Sequence, residues 1–369
     1  MKILHLITRM DRGGSAVNTL LSGIEQCRLG HQVTLAYGSN LASDISLAEQ
    51  AKVDSDLAIF KALGGKAVIL SAMLRNMGTH DWQAYKQIKA LLLEGFDIVH
   101  THTSKAGALG RLATKHETRV HTPHGHIFHG YFGTLKTKVF IMIERCLAYK
   151  TDALIALTKA ERDDHLALSI GTSAQWHVIP SGVDIQSIEK QVAQYDGEIQ
   201  WDAVSVGRLV PIKGMERLLA AWAEVCINKP NAKLALVGDG EERYSLELLA
   251  KKLAIAENIY FAGWADPLPY LAAARCFVLL SHNEGMGRAV VEAFAAGLPC
   301  VVSNVCGLRE LVDDSVGCVV DAQQPTQVAN ALLKEWDAKT SNAARERAKS
   351  YSVEAMIHGL ERVYQHVRT

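Results

Sequence analysis

The chain has no excess of either charge: among its 369 residues Lys+Arg and Asp+Glu each number 39. That balance excludes a bulk nucleic-acid binder, which needs a basic field. No apolar run approaches the roughly 20 residues that span a bilayer. The longest candidate, Val139 to Ile143, is interrupted by Glu144 and Arg145. No signal peptide is visible, because the strand-like start Met1 to Thr8 runs straight into Arg9, Asp11 and Arg12. The seven cysteines are odd in number and lack paired spacing, which argues against a disulfide framework and for a reducing compartment. There is no short tandem repeat and no low-complexity tract. These absences lead us to expect a cytoplasmic protein, with membrane contact limited to a peripheral one at the inner face.

What is present is a soluble globular composition, 49% apolar and 21% charged, on a chain long enough for two domains. Short apolar runs read as buried parallel strands: Ile3–Ile7, Val33–Ala36, Ile98–His100, Arg119–Thr122, Ala153–Ala156 and His177–Ile179. Helical patterns alternate with them. A second series begins near Trp201, with strands at Ala203–Val206, Lys233–Val237, Ile259–Phe261, Cys276–Leu279, Cys300–Val302 and Cys318–Val320. The alternation predicts an α/β fold of two tandem Rossmann-like, doubly wound domains. The expected domains are 1–182, completed by an amphipathic helix over 352–369, and 183–351. The join is expected in the polar stretch Pro180 to Glu198.

The richest segment is Ser281-His282-Asn283-Glu284-Gly285-Met286-Gly287-Arg288 and the residues up to Glu292. An apolar strand precedes it, and a helix former follows that stops at Gly297 with Pro299 beyond. Glu284 is therefore expected in a loop at a strand's carboxyl end, and Glu292 in the first turns of the next helix. The amides of Gly285, Met286, Gly287 and the following residues form an anion site at a helix N-terminus with a carboxylate on each side. That is the chemistry of a nucleotide sugar: diphosphate on the amides, hydroxyls on the carboxylates.

Other strand-end loops carry candidates. Arg12-Gly13-Gly14-Ser15 allows close backbone approach to a ligand or a simple tight turn; it lacks the dinucleotide fingerprint, which needs a third glycine and an acidic residue ending the second strand. In Gly207 to Gly214, Arg208 and Lys213 flank a helix mouth, where two cations neutralise a diphosphate and the charge that grows on it as it leaves. Gly238 to Glu242 reads as a turn near the ligand or a helix cap. Gly263-Trp264 offers backbone groups to a base, or a core tryptophan. Histidines crowd 100–129 without a Cys, Asp or Glu at ligand spacing, so we expect no metal there and no cofactor. His124, just past a strand, is expected to donate to a substrate hydroxyl or leaving oxygen. Asp54-Ser55-Asp56 matches a metal-binding D-x-D by chance.

These residues resemble the retaining, nucleotide-sugar-dependent glycosyltransferases of family 4, which have the two-domain GT-B fold with its domains facing across a cleft. The most specific part is Glu284-x7-Glu292 with Glu292-Ala293-Phe294-Ala295-Ala296-Gly297-Leu298-Pro299. Val206 to Leu209, Lys213-Gly214 and Ile179-Pro180-Ser181-Gly182-Val183-Asp184 add to it. Ser104-Lys105-Ala106-Gly107 and His121-Thr122-Pro123-His124-Gly125 are similar to members that build bacterial surface polysaccharides. The resemblance implies that Glu284 holds the donor sugar, Glu292 the ribose, and Arg208 and Lys213 the diphosphate. It implies that Gly14 approaches the diphosphate from the other domain and that His124 contacts the sugar at the reacting face. It also implies a donor nucleotide sugar, UDP-linked in the favoured case, and a glycan or lipid-linked glycan acceptor. Ser181 replaces the usual Asn, and Cys306 interrupts a usual Gly-Gly turn. The helix Leu135 to Lys150, with Lys136, Lys138, Arg145 and Lys150 beside Phe140, Ile141 and Leu147, reads first as a packed helix with a basic outer face and also suits a membrane surface. An epimerase and a non-catalytic nucleotide-sugar binding protein remain the rival readings.

Overall fold

In the computed structural model the chain is described over residues 1–11, 13–39, 47–125 and 134–368. It divides into two compact units, Met1–Gly182 with Val353–Thr369, and Val183–Ser352.

The first unit holds seven strands: β1 Lys2–Ile7, β2 Gln32–Gly38, β3 Lys66–Leu70, β4 Ile98–His102, β5 Thr118–Thr122, β6 Ala153–Ala156 and β7 Trp176–Val178. They lie in the order β3-β2-β1-β4-β5-β6-β7, with parallel pairing throughout. The second holds β8 Ala203–Val206, β9 Leu234–Val237, β10 Ile259–Gly263, β11 Phe277–Leu279, β12 Cys300–Ser303 and β13 Gly317–Val320, in the order β10-β9-β8-β11-β12-β13. Both sheets are doubly wound. The central strands are almost wholly buried, as apolar strands covered by helices on both faces must be. In each sheet the direction of winding reverses once, between β1 and β4 and between β8 and β11. The loops leaving those strands at their carboxyl ends are where such sheets bind ligands.

The closing helix Val353–Arg368 packs on the first unit. Its apolar residues recur at helical spacing, and Met356, Ile357, Leu360 and Tyr364 join Ile3, Ile98, Val120 and Ile155 in one core. Ser181, the residue that departs from the family pattern, donates from Oγ to Asn18 Oδ1 at 2.6 Å, and Gly182 approaches Val353 so closely that a Cβ would stand 2.8 Å from its Cα. The second core is built around the fully buried Trp222 with Leu218, Leu219, Leu236 and Val278.

Four elements depart from expectation. β3 and the helix Leu47–Ala62 are additional; β3 is an edge strand whose short apolar run Ala67–Leu70 has Leu70 as its sole buried residue. The stretch expected as a linker contains the helix Ile185–Ala193, whose cap Asp184 accepts from Ser187 N at 3.0 Å and whose Ile185 and Ile188 are buried. A further helix, Ala338–Lys349, is capped by Asp337 and rests on Ala344 and Ala348. Asp54 and Asp56 lie on the helix Leu47–Ala62, two residues apart and so on different faces. Gln50 Nε2 donates to Asp54, and Lys52 pairs with Asp56.

Candidate functional site

In the second unit the winding reversal brings the Gly207–Gly214 and Leu280–Gly287 loops side by side. His282 N donates to Ile212 O at 2.8 Å, which joins them through the main chain. At this seam Lys213 Nζ makes an ion pair with Glu284 Oε1, and Ser281 Oγ donates to the same oxygen at 3.0 Å. Ser281 is itself fixed, since Ser303 Oγ donates to its carbonyl at 2.7 Å. Lys213 ends a short 3-10 turn, Pro211–Lys213, where Pro211 presets the backbone. Gly214 follows at φ 63°, a conformation that favours glycine, and a Cβ there would stand 2.3 Å from Leu280 O. Arg208 is exposed and, among the described residues, makes no ion pair. It is therefore available to a ligand anion, while Lys213 is shared with Glu284.

The Gly238–Glu242 loop supports this seam. Leu209 N donates to Asp239 O and Glu242 N donates to Leu209 O, at 2.9 and 3.0 Å. A Cβ on Gly238 would come within 1.9 Å of Gly207 O. The loop is thus a floor beneath Arg208, and Glu242 caps the helix Arg243–Lys252 without a side-chain bond. Gly263 accepts through its carbonyl from Gly238 N at 2.8 Å, and Trp264 is half-buried rather than core.

Gly287, at φ 81°, caps the helix Arg288–Ala295 and offers no side chain to its first amides. Met286 is 3% exposed, so a ligand meets its main chain and not its side chain. Gly307 closes the loop from behind: a Cβ there would stand 2.6 Å from Glu284 O and 2.7 Å from Gly285 O. Cys306, beside it, is not at positive φ, so its position does not call for glycine, whereas Gly307 sits at φ 81°. Glu292 lies one turn into the helix and pairs with Arg288 at 3.8 Å. Burial depresses the Arg288 pKa and Glu292 opposes that shift.

In the first unit, Gly13 caps the helix Gly14–Arg28, its amide donating to Asp11 Oδ1 at 2.8 Å, and Gly14 is exposed as the first helical residue. Arg12 lies outside the described residues, as do His126 and His129. A cavity of about 210 Å³ opens between β1 and β4, lined by Thr8, Arg9, Asp11, Arg75, Thr103 and Lys105 among others. Thr8 Oγ1 and Thr103 Oγ1 are hydrogen-bonded at 2.9 Å, and Thr103 sits at φ 64°, strained for a β-branched residue.

His124 also has positive φ, 62°, directly after β5. It is expected to donate to a substrate; in the structure its Nε2 is turned inward to His102 Nδ1 at 2.9 Å. His5, His100, His102 and His121 are buried, and burial holds the pKa of each below the usual histidine range, His5 at about 4. Among the described residues His5, His100 and His102 bring ligand-capable atoms within 4.8 Å of one another, a grouping the spacing rule missed because the three come from two strands. All six of their ring nitrogens are hydrogen-bonded to protein groups.

Sequence reasoning also missed Glu161. It is fully buried, and its carboxylate accepts from Gly125 N and Leu157 N, each at 2.7 Å, fastening the His124-Gly125 turn. The signal was the capping pattern Thr158-Lys159-Ala160-Glu161, and Thr158 Oγ1 does accept from Glu161 N at 3.1 Å. Ser281 gave no motif signal of its own.

Comparison with known proteins agrees with this geometry. Residues 12–187 match the family model "Glycosyltransferase Family 4", and residues 187–352 match "Glycosyl transferases group 1". The chain is 30% identical over 278 residues to the UDP-Gal:alpha-D-GlcNAc-diphosphoundecaprenol alpha-1,3-galactosyltransferase of Escherichia coli, covering 71% of this chain and 72% of that one. Among solved structures, Anabaena Alr3699/HepE in complex with UDP superposes with a TM-score of 0.78 at 19% identity, over 99% of this chain and all of that one. Sucrose-phosphate synthase from Thermosynechococcus elongatus gives a TM-score of 0.82 at 21% identity, over 100% and 99% of the two chains. The chain belongs to the family 4 glycosyltransferases and has their GT-B fold of two Rossmann-like domains.

Proposed function

We propose that this glycosyltransferase is retaining and metal-independent, and that it moves a hexosyl or N-acetylhexosaminyl group from a UDP-sugar to a hydroxyl of a lipid-linked or growing surface polysaccharide. The observation that carries the reading is the contact of Lys213 with Glu284 at the winding reversal of the second unit. On this reading Lys213 is a cation for the diphosphate and Glu284, beside it, an acceptor for sugar hydroxyls. Arg208 supplies the second cation, the glycine-capped helix at Gly287 supplies amide dipoles, and Glu292 takes the ribose.

In the proposed reaction the acceptor oxygen attacks the anomeric carbon on the face from which the diphosphate leaves. The new C–O bond forms as the C–O bond to the diphosphate breaks, and the diphosphate oxygen receives the hydroxyl proton. Arg208 and Lys213 stabilise the charge that develops, so catalysis rests on positioning and electrostatics. A UDP donor is supported by the galactosyltransferase named above and by the UDP held in the HepE structure. The acceptor assignment is supported by that relative's diphosphoundecaprenol substrate and by the cavity of the first unit, whose lining includes Arg9, Arg75 and Lys105, with Arg9 paired to Asp11 and Lys105 to Asp81.

Among the described residues no helix is long and apolar enough to cross a membrane. A peripheral contact at the cytoplasmic face is supported by the helix Thr134–Ala148. Leu147, expected on its outer face, is buried, whereas Val139, Met142 and Ile143 are exposed beside Lys138 and Arg145, with Tyr149 just beyond. Mass spectrometry of products from a panel of nucleotide sugars with a diphosphate-linked acceptor tests the reading. Transfer from a UDP-sugar is expected; epimerised donor or unreacted mixtures would overturn it.

A further inference from the structure

Three hydrogen bonds link four side chains into a relay that starts in the core of the first unit and reaches His124. Gln26, from the helix Gly14–Arg28, accepts at Oε1 from His5 Nε2 at 2.7 Å. His5 Nδ1 meets His102 Nε2 at 2.9 Å, and His102 Nδ1 meets His124 Nε2 at 2.9 Å. Gln26, His5 and His102 are each at most 1% exposed. No metal or water is needed to connect them.

The direction of the relay follows from proton counting. A carbonyl oxygen cannot donate, so His5 carries its proton on Nε2. A neutral imidazole has one N–H, which leaves His5 Nδ1 an acceptor. His102 must then donate from Nε2 and accept at Nδ1, and His124 must donate from Nε2. Burial keeps His5 and His102 neutral in the ordinary pH range, as the counting requires. Gln26 presents Oε1, not Nε2, to His5, so the carbonyl is the end of the amide that the relay engages.

We propose that Gln26 is a positioning residue: through His5 and His102 it locks His124 in the tautomer with the proton on Nε2 and an accepting Nδ1. His124 then takes a hydrogen bond from a substrate hydroxyl instead of giving one. The backbone supports the same end: His124 is held at positive φ, and the next amide is clamped by Glu161. A buried amide thereby sets the hydrogen-bonding sign of a group at the carboxyl edge of the sheet. The tautomer assignment stands on the relay alone; its kinetic consequence rests on the sugar contact that the family resemblance implies for His124.

The test is the imidazole nitrogen spectrum of the full chain labelled with 15N-histidine, with the His124 signals assigned by their loss in His124→Ala. In the native protein His124 is expected to be protonated at Nε2 and bare at Nδ1. Gln26→Met keeps the length and removes the acceptor; it is expected to populate the other tautomer at His124. It is also expected to lower kcat about tenfold, part of the ~100-fold that a placed proton donor or acceptor contributes, with little change in KM for the nucleotide sugar. A proton on Nδ1 in the native protein overturns the proposal without recourse to any variant. A folded Gln26→Met protein whose His124 signals are unchanged also overturns it. A shifted tautomer with unchanged kcat upholds the relay and overturns the role of His124 in transfer.

Discussion

Lys213 Nζ contacts Glu284 Oε1 across 71 residues of sequence, and Ser281 Oγ donates to the same carboxylate oxygen. The pairing gives Glu284 a fixed geometry before any ligand arrives. It also shares the charge of Lys213, which leaves exposed Arg208 as the stronger attraction for an incoming diphosphate.

Arg208→Ala and Lys213→Ala are each expected to slow transfer by about 100-fold, the scale of losing one preorganised electrostatic contact. Because Lys213 touches Glu284, Lys213→Ala combined with Glu284→Gln should lose less than the product of the single effects. Steady-state kinetics on the four proteins measure this. An Arg208→Ala, Lys213→Ala double variant with native activity would remove both from the diphosphate.

The two carboxylates are expected to separate by function. Glu284→Gln should cut transfer far more than it cuts affinity for the free nucleoside diphosphate. Glu292→Gln should weaken that affinity by about 1 kcal/mol or more, the worth of a hydrogen bond to a charged group. Calorimetric titration beside a transfer assay reads both. Loss of nucleotide affinity in Glu284→Gln with retention in Glu292→Gln reverses the assignment.

Much of this was legible in the sequence because buried parallel strands are short apolar runs, and because Arg208, Lys213 and Glu284 follow closely on strand ends while Glu292 lies early in the helix after one of those loops. β3 was overlooked although Ala67–Leu70 is a short apolar run; it is an edge strand in which Leu70 alone is buried. The helix Ile185–Ala193 was hidden by polar residues around two buried isoleucines. The relay was hidden for another reason. Gln26, His5, His102 and His124 come from a helix, two strands and a loop, and the pairing β1 with β4 that joins His5 to His102 is a product of sheet order, not of spacing. Leu147 was misjudged because an apolar residue on an amphipathic helix does not declare which face is covered.

Transfer is expected to persist in excess chelator, since Arg208, Lys213 and a helix N-terminus face the position assigned to the diphosphate, and Asp54 and Asp56 lie on different faces of a surface helix. An assay with chelator, then with added magnesium or manganese, decides it. Complete loss reversed by the metal would require a metal site in the mechanism.

Stability should depend on pH through the buried histidines. In the unfolded chain they titrate near pH 6.5, whereas His5 titrates at about 4 in the folded chain and burial also lowers His100, His102 and His121. As pH falls below 6.5 the unfolded chain takes up protons that the native rings refuse. The stability these rings contribute is therefore complete above pH 6.5 and declines towards pH 4, by roughly 3 kcal/mol from His5 alone. Thermal melts at pH 7.5 and pH 5 should show a lower Tm at pH 5; an equal or higher Tm would mean that these rings are not buried neutral.

The central claim is retention by direct same-face transfer at the Lys213–Glu284 seam. Proton NMR of the first product formed from an α-linked UDP-sugar and a diphosphate-linked acceptor tests it most directly. The expected product carries a new α linkage, with a small anomeric coupling, at the earliest time observed. A β linkage at that time would contradict the account.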